Sequence, residues 1–387
     1  MKIEQIYAIT NDVTKEVTGQ EALVQEDLSN IVDVGNTIQN IDGWQNKFVS
    51  ALVDRIGRTV FVDRPYAGSA PSVMRDSWEY GSIKMKIASE LPEAVENESW
   101  ELTDGASYDP FVYKANKAEA KFYDSLTTFE IDKSILDRQL KSSFADATQL
   151  NAFISMLFNE IDKSMTLKND GLIMRTINSL TGDTFHDFNS GGTYNTSSGT
   201  RAVNLLYLYN QKFGTSLTAA KALSTPEFLR FASYIMSLYV DRMSKMSTLF
   251  NIGGKHRFTP SDMLHTVLLS EFKEAAGVYL YDAANQFNNE SLKLPKAETV
   301  PFWQGSGTGY AFDDTAKIYL KTGAGNTVTA TGILGVMFDR DALGVCNENS
   351  RVTTQYNAKA EFTNYFYKRD ARYFTDGNEN FVVFFIA

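Results

Sequence analysis

The sequence predicts a mixed α+β protein of more than one subdomain, and three observations carry that reading. Leu150, Phe153, Leu157, Ile161 and Met165 recur every three or four residues, the stripe of a helix that lies on a sheet. Ile83, Met85 and Ile87 alternate with Ser82, Lys84 and Lys86, the period of a strand with one wet face. The last residues, "FVVFFIA", form an apolar strand whose natural place is inside a core. With 387 residues, 43% hydrophobic and 13% aromatic, the chain has ample core material, and two or three subdomains are expected.

Residues 1–45 are polar and weakly periodic, an arm or extended segment. "NKFVSALVDRIGRTVFVDRP" reads as a short helix ending near Gly57 and a strand from Thr59 to Val62, closed by Pro65. From Tyr80 to Asp132 the chain goes out and comes back. The outward strand gives way to an acidic stretch with Glu90, Glu93, Glu96, Glu98 and Glu101, and no Lys or Arg lies between Ile87 and Val112. The return carries Lys114, Lys117 and Lys121. This segment reads as poor in apolar material, an arm unable to pack on itself.

The helical stripe carried through to Leu180 predicts a helix of roughly 55 Å, bent near Gly171. Gly182 to Gly199, rich in Gly, Ser, Asn and Thr, reads as a linker. Two helices are expected after it, one capped by Thr225 with Pro226 in first position. The other is capped by Thr259 before Pro260, with Asp262 complementing its dipole. Residues 302–338 read as strands broken by Gly-rich turns, and Asp376-Gly377 as the turn of a hairpin whose second strand is Phe381 to Ile386. No internal repeat is visible.

Net charge is −10 and the pI is near 5.0, which argues against a surface made to grip nucleic acid. A single cysteine, Cys346, excludes an internal disulfide framework and a cysteine-rich metal site; it reads as a small apolar filler. No secretion signal and no run of ~20 apolar residues appears, so a soluble protein made in a cytoplasm is expected. The histidines fall apart: His186 in the linker, His256 after "GGK", His265 on an expected helix, with no carboxylate at a ligand spacing. "GSGTG" (Gly305 to Gly309) and "TGAGNT" (Thr322 to Thr327) have a phosphate-loop composition but neither the pattern nor a strand-to-helix setting. Asp313 with Asp314, and Asp339 with Asp341, read as solvated or turn-forming acids. Neither a catalytic constellation nor a cofactor or metal site is expected.

The order of parts resembles the major capsid protein of tailed bacteriophages, the Hong Kong 97 type of fold shared with encapsulins. That family runs N-arm, extended (E) loop, peripheral domain with a spine helix, axial domain, and a return to the peripheral sheet. "FTPSDMLHTVLLSEFKEAAGVYLYDAANQFNNESLKLPKAETVPFWQG" (Phe258 to Gly305) is similar to the axial-domain stretch of capsid proteins from phages of Gram-positive hosts. "GILGVMFDRDALGV" with "KAEFTNYFYKRDARYFTDGNENFVVFFIA" resembles the closing segment. The resemblance spans about residues 45 to 387 and rests on layout and texture rather than on an invariant motif.

The resemblance implies an N-terminal arm (1–45), the start of a peripheral domain (46–79), an extended β-hairpin E-loop (80–132), and a peripheral domain with a long spine helix (133–199). An α/β axial domain (200–330) and closing strands (331–387) follow. It implies a virion protein, assembled in the host cytoplasm, whose pentamers and hexamers close into an icosahedral shell around a dsDNA genome. The partners implied are further copies of itself, a portal protein, a decoration protein, and packaged DNA held only non-specifically; no membrane is involved. Some relatives carry a scaffolding segment of their own; here the capsid-like pattern begins within about forty-five residues, so a separate scaffolding protein is expected. On this reading Ile83, Met85, Ile87, Glu93, Glu96, Glu98, Lys114, Lys117 and Lys121 form an inter-subunit contact. Some relatives join a lysine to an asparagine, but neither partner can be matched in this chain. The alternatives are an encapsulin-like compartment, a tail or baseplate protein, or a carbohydrate hydrolase using Asp339 or Asp341.

Overall fold

A computed structural model describes residues 15, 68, 71–74, 83–136, 147–189, 196–279, 294, 297–303, 318–321 and 327–387. The N-terminal arm apart from Lys15, the short helix near Gly57, the strand Thr59 to Val62, the Gly305 to Gly309 loop and Asp313–Asp314 lie outside the described residues.

In chain order the first elements are β1 (Lys84–Ser89), a short 3-10 turn (Glu98–Trp100), β2 (Ala118–Tyr123), β3 (Leu126–Leu136) and α1 (Ala147–Phe188). Next come β4 (Ala202–Asn204), α2 (Leu205–Phe213), α3 (Ala219–Ala222), α4 (Pro226–Ser244), β5 (Leu264–Leu269) and α5 (Ser270–Tyr279). The chain closes with β6 (Ala297–Val300), β7 (Ile318–Lys321), β8 (Thr327–Ala330), β9 (Ile333–Asp339), β10 (Leu343–Asn357), β11 (Phe362–Thr375) and β12 (Phe381–Phe385).

The residues group into two compact units. One takes 1–65, 134–162 and 355–364; there Ser134 Oγ and Asn364 Oδ1 lie 2.5 Å apart, tying the end of β3 to β11. The other takes 66–133, 163–354 and 365–387.

That second unit is built on a five-stranded sheet of order β4-β12-β9-β5-β6. β12 runs parallel to β4 and antiparallel to β9, and β5 runs antiparallel to β9 and parallel to β6. Every residue of β5, β9 and β12 is buried, which explains why they read as continuous apolar runs rather than alternating ones. Phe384 meets Tyr239 of α4 edge to face at 5.3 Å, while Phe385 meets Phe185 of α1 at 5.0 Å. Adjacent strand residues point to opposite faces, so α4 covers one face of the sheet and the end of α1 the other. Between β8 and β9 the chain needs a glycine: Gly332 has φ +71°, and a Cβ there would fall 1.9 Å from the carbonyl oxygen of Ile386. The expected closing of the chain inside the core is therefore observed.

Four sequence expectations change. The expected linker begins as helix: α1 runs unbroken for 42 residues, through Gly171 and on to Phe188, and His186 sits in its last turn. Thr176, Thr181 and Thr184 are buried and donate their hydroxyls to the carbonyls four residues back, so even Thr184, which falls in the expected linker, is satisfied inside the helix. Of the expected stripe, Ile161 and Met165 are buried and Leu157 is half-buried, while the side chains of Leu150 and Phe153 lie outside the described residues; from Leu172 onward α1 is buried nearly all round.

The helix expected from Pro260 is the second change. "LHTVLL" forms β5, the helix begins at Ser270, and Thr259 instead donates its hydroxyl to Asp339 at 2.6 Å. A short apolar run with β-branched Thr266 and Val267 fits a doubly buried strand as well as a helix, and the sheet decides. His265 is accordingly a buried strand residue stacked on Phe338, not a helix residue. Third, Thr225 is the N-cap of α4 and Pro226 its first residue as expected, but the threonine hydroxyl donates to the Lys221 carbonyl rather than to the helix.

The fourth change concerns Asp376-Gly377. It joins no hairpin: β11 lies in a three-stranded sheet of order β10-β11-β3, and β12 in the five-stranded one. The turn carries the chain from sheet to sheet, and it positions the site described next.

Candidate functional site

β1 and β2 form an antiparallel pair, with Lys84 opposite Tyr123, Met85 opposite Phe122, Lys86 opposite Lys121 and Ile87 opposite Ala120. Among the described residues neither strand hydrogen-bonds to any other strand. The two faces of this ribbon are reversed relative to a surface strand. Lys84, Lys86, Glu119, Lys121 and Tyr123 turn inward and are partly buried. Ile83, Met85, Ile87 and Phe122 point outward and are 56%, 53%, 62% and 64% exposed.

Charges explain the reversal. Two lysines directly opposite on one face repel, and such a pair is tolerated only if an anion meets it. Asp376 is that anion: Oδ2 accepts from Lys86 and Oδ1 from Lys121, both at 2.9 Å, while Oδ1 also accepts from the Asn378 backbone N–H at 3.0 Å. Glu379 adds a second acceptor for Lys86 and pairs with Arg257 at 3.3 Å. Farther out, Lys255 bridges Glu119 at 2.9 Å and Glu90 at 3.4 Å. At the root, the Lys84 ammonium lies 4.0 Å above the Phe374 ring, which also packs on Tyr123.

Burial pushes the Asp376 carboxyl up, but the lysine hydrogen bonds more than offset it and bring it down to about 2. Burial acts to lower the Lys86 ammonium, and Glu379 and Asp376 reverse that to a net rise. Burial, then the charge of Asp376, pushes the Tyr123 phenol up. A carboxyl depressed in the folded state contributes stability that is complete above its ordinary value of 3.8 and is lost as pH falls through about 2. The contribution is on the order of 1–2 kcal/mol once solvent at the lysine ends is allowed for. Asp376→Asn is thus expected to be less stable than wild type at pH 6, with the difference closing between pH ~4 and ~2. Denaturant midpoints of both proteins across that range check it; a constant gap would contradict the assignment.

The sequence-predicted contact residues are not all used alike. Ile83, Met85 and Ile87 share the outward face. Glu93, Glu96, Lys114 and Lys117 are exposed, and Glu98 opens the 3-10 turn, its side chain outside the described residues. Lys121 is instead bound to Asp376 of its own chain. Sequence reasoning fixed on acid and missed the aromatic content of the segment between the strands. Trp100, Phe111 and Tyr113 are 94%, 89% and 87% exposed, accompanied by Leu91, Val95 and Leu102. The signal was present in "SWEL" and "PFVY" but was outweighed by the glutamates.

The catalytic candidates find structural roles. Asp339 is buried, accepting from Thr259 Oγ1 and from the Asp341 N–H at 2.8 Å. Cys346 is fully buried. Residues 322–326 of the other glycine-rich stretch lie outside the described residues; the strands on either side, β7 and β8, pair antiparallel. Among the described residues there is no group of His, Cys, Asp or Glu able to hold a metal ion, and no helix long and apolar enough to cross a membrane.

The ribbon thus keeps its charged face against its own chain and leaves its apolar face, with the exposed aromatics beyond it, open. The family model described as Phi29-like phage major capsid protein matches residues 6–385. The chain belongs to that family. It is thus a phage major capsid protein, a structural virion component rather than an enzyme, which self-assembles into the icosahedral head. The resemblance to tailed-phage capsid proteins read from the sequence is borne out. Among solved structures, the capsid protein is similar to a chain of the Staphylococcus phage Andhra capsid, with a TM-score of 0.55 at 9% identity over 86% of this chain and 87% of that one. It is also similar to a chain in the structure of the head fiber and inner core protein gp22 of native bacteriophage P68, with a TM-score of 0.52 at 8% identity over 86% and 88%. At such identity the likeness shows the mixed α+β fold alone. No curated protein matches the capsid protein.

Proposed function

We propose that this capsid protein assembles as pentamers and hexamers that close the head around a dsDNA genome, with residues 80–132 as the E-loop that clasps a neighbouring subunit. The observation that carries this reading is the reversed ribbon: its charged face is spent on its own chain, and its apolar face at Ile83, Met85, Ile87 and Phe122 is left open. Burying such a face stabilises a contact by roughly 25 cal/mol per Å² of apolar surface removed from water. Glu93, Glu96 and Glu98 then meet basic or hydrogen-bonding groups of the neighbour, and Lys114 and Lys117 meet acids.

In this reading residues 1–45 are the N-arm, 46–79 and 133–199 the peripheral domain with α1 as spine helix, 200–330 the axial domain, and 331–387 the closing strands. The acidic composition fits a shell that encloses DNA without gripping its phosphates. A portal protein, a separate scaffolding protein and a decoration protein complete the set of partners. Negative-stain microscopy of the purified chain, alone and co-expressed with its neighbouring gene products, tests the proposal. Closed shells are expected only with the scaffolding product; uniform, correctly sized shells from this chain alone would contradict the separate scaffold, and open tubes would contradict the head assignment.

A further inference from the structure

The inward face of the β1–β2 ribbon is organised as three rungs, two residues apart along each strand. The root rung sets Lys84 and Tyr123 against Phe374; the middle rung sets Lys86 and Lys121 against Asp376; the outer rung sets Glu119, with Glu90 beyond it, against Lys255. Below the root, Tyr373 N–H bonds the Ser125 carbonyl at 3.3 Å, so the sheet takes up the chain just after β2 ends. Beyond the root the hold is mainly charge on charge, because among the described residues β1 and β2 pair only with each other.

We infer that the Asp376 and Lys255 rungs are a latch, which holds the ribbon in one orientation in the unassembled subunit and releases it about its root when those charges are lost or exchanged. The inference rests on reading residues 80–132 as the assembly arm, and it assigns the control of that arm's direction. Release breaks no strand pairing, since the partners on the body are a turn (Asp376, Glu379) and a loop (Lys255, Arg257), and what it uncovers there is the charged pair Asp376 and Glu379. The groups facing Asp376 are Lys86, Lys121 and the Tyr123 phenol from the ribbon and Glu379 from its own turn; Arg257 pairs with that Glu379 from the loop. Removing the Asp376 charge takes away the acceptor that Lys86 and Lys121 share and leaves Glu379 alone to hold the middle rung, so the attraction between ribbon and turn falls. The outer rung is more exposed and is the one that salt screens first.

The test is a distance measured on the full-length, unassembled subunit. Spin labels at Ala118→Cys on β2 and Ser244→Cys at the end of α4, both exposed positions, report the ribbon against the body, while the native Cys346 is buried. A single narrow distance is expected in the otherwise wild-type subunit. In Asp376→Asn with Glu379→Gln the narrow peak is expected to be lost to a broad distribution, with near-UV circular dichroism unchanged. If that variant fails to fold, Lys86→Gln with Lys121→Gln removes the same rung from its partly exposed side and must give the same broadening. A narrow, unmoved distance in a folded variant overturns the latch. Because no shell is needed for this readout, such a result leaves the assembly reading standing, and failure of Ile83 and Ile87 substitutions to block shells would do the reverse.

Discussion

Replacing Ile83 and Ile87 together with aspartate is expected to yield a folded subunit that builds no shells. Both side chains are more than half exposed and face away from the body, so the change removes no core contact. The intrachain cost is limited to strand propensity and is about 1–2 kcal/mol at most. At a subunit contact the same change places two carboxylates against an apolar surface, and each unpaired buried charge costs several kcal/mol. A shell repeats that contact at every subunit, so the penalty is multiplied across the assembly. Thermal melting of the variant near the wild-type temperature, with no closed particles in micrographs, is the expected pair of results. Normal particles would end the reading of this ribbon as an interface.

Replacing Phe384 with alanine is expected to have the opposite profile, a subunit that is lost before assembly is reached. Phe384 is fully buried, packs edge to face on Tyr239, and lies in a strand paired on both sides. Truncating a buried phenylalanine costs about 3–5 kcal/mol, a large share of the ~5–15 kcal/mol by which a domain is stable. A lower denaturant midpoint at unchanged slope, together with poor soluble yield, checks it. A shift worth less than about 1 kcal/mol would mean that the β12 core is plastic.

The sequence was most legible where one local signal had no competitor. "FVVFF" had to be a buried strand, and Thr225-Pro226 had to open a helix. It failed where tertiary packing arbitrated between two acceptable local states. "LHTVLL" satisfies helix and strand alike, and its place between β9 and β6 decided for strand. "TGDTFHDF" has the composition of a loop, yet burial of Leu180 and Phe185 and the back-bonded threonines extended the helix through it. The first ribbon strand was read from its alternation, but the fate of its two faces was not. Nothing local says that Asp376, more than 250 residues away from either lysine, will draw Lys86 and Lys121 inward. Long-range ion pairs leave no periodicity to read.

The place of β12 has a consequence for how the subunit is made. Residues 381–385 are inserted between β4 at 202–204 and β9 at 333–339, so the sheet joins stretches that leave the ribosome far apart in time. Such long-range pairing is slow to form, because loop-closure entropy is lost before any contact rewards it. Until Phe381 emerges, β4 and β9 present bare edges, the state in which nascent chains aggregate or are degraded. A message broken upstream of that codon therefore yields no half-competent subunit to be built into a head. Translation itself screens the building blocks, and a particle of many identical parts is spared the defect that one truncated copy would introduce.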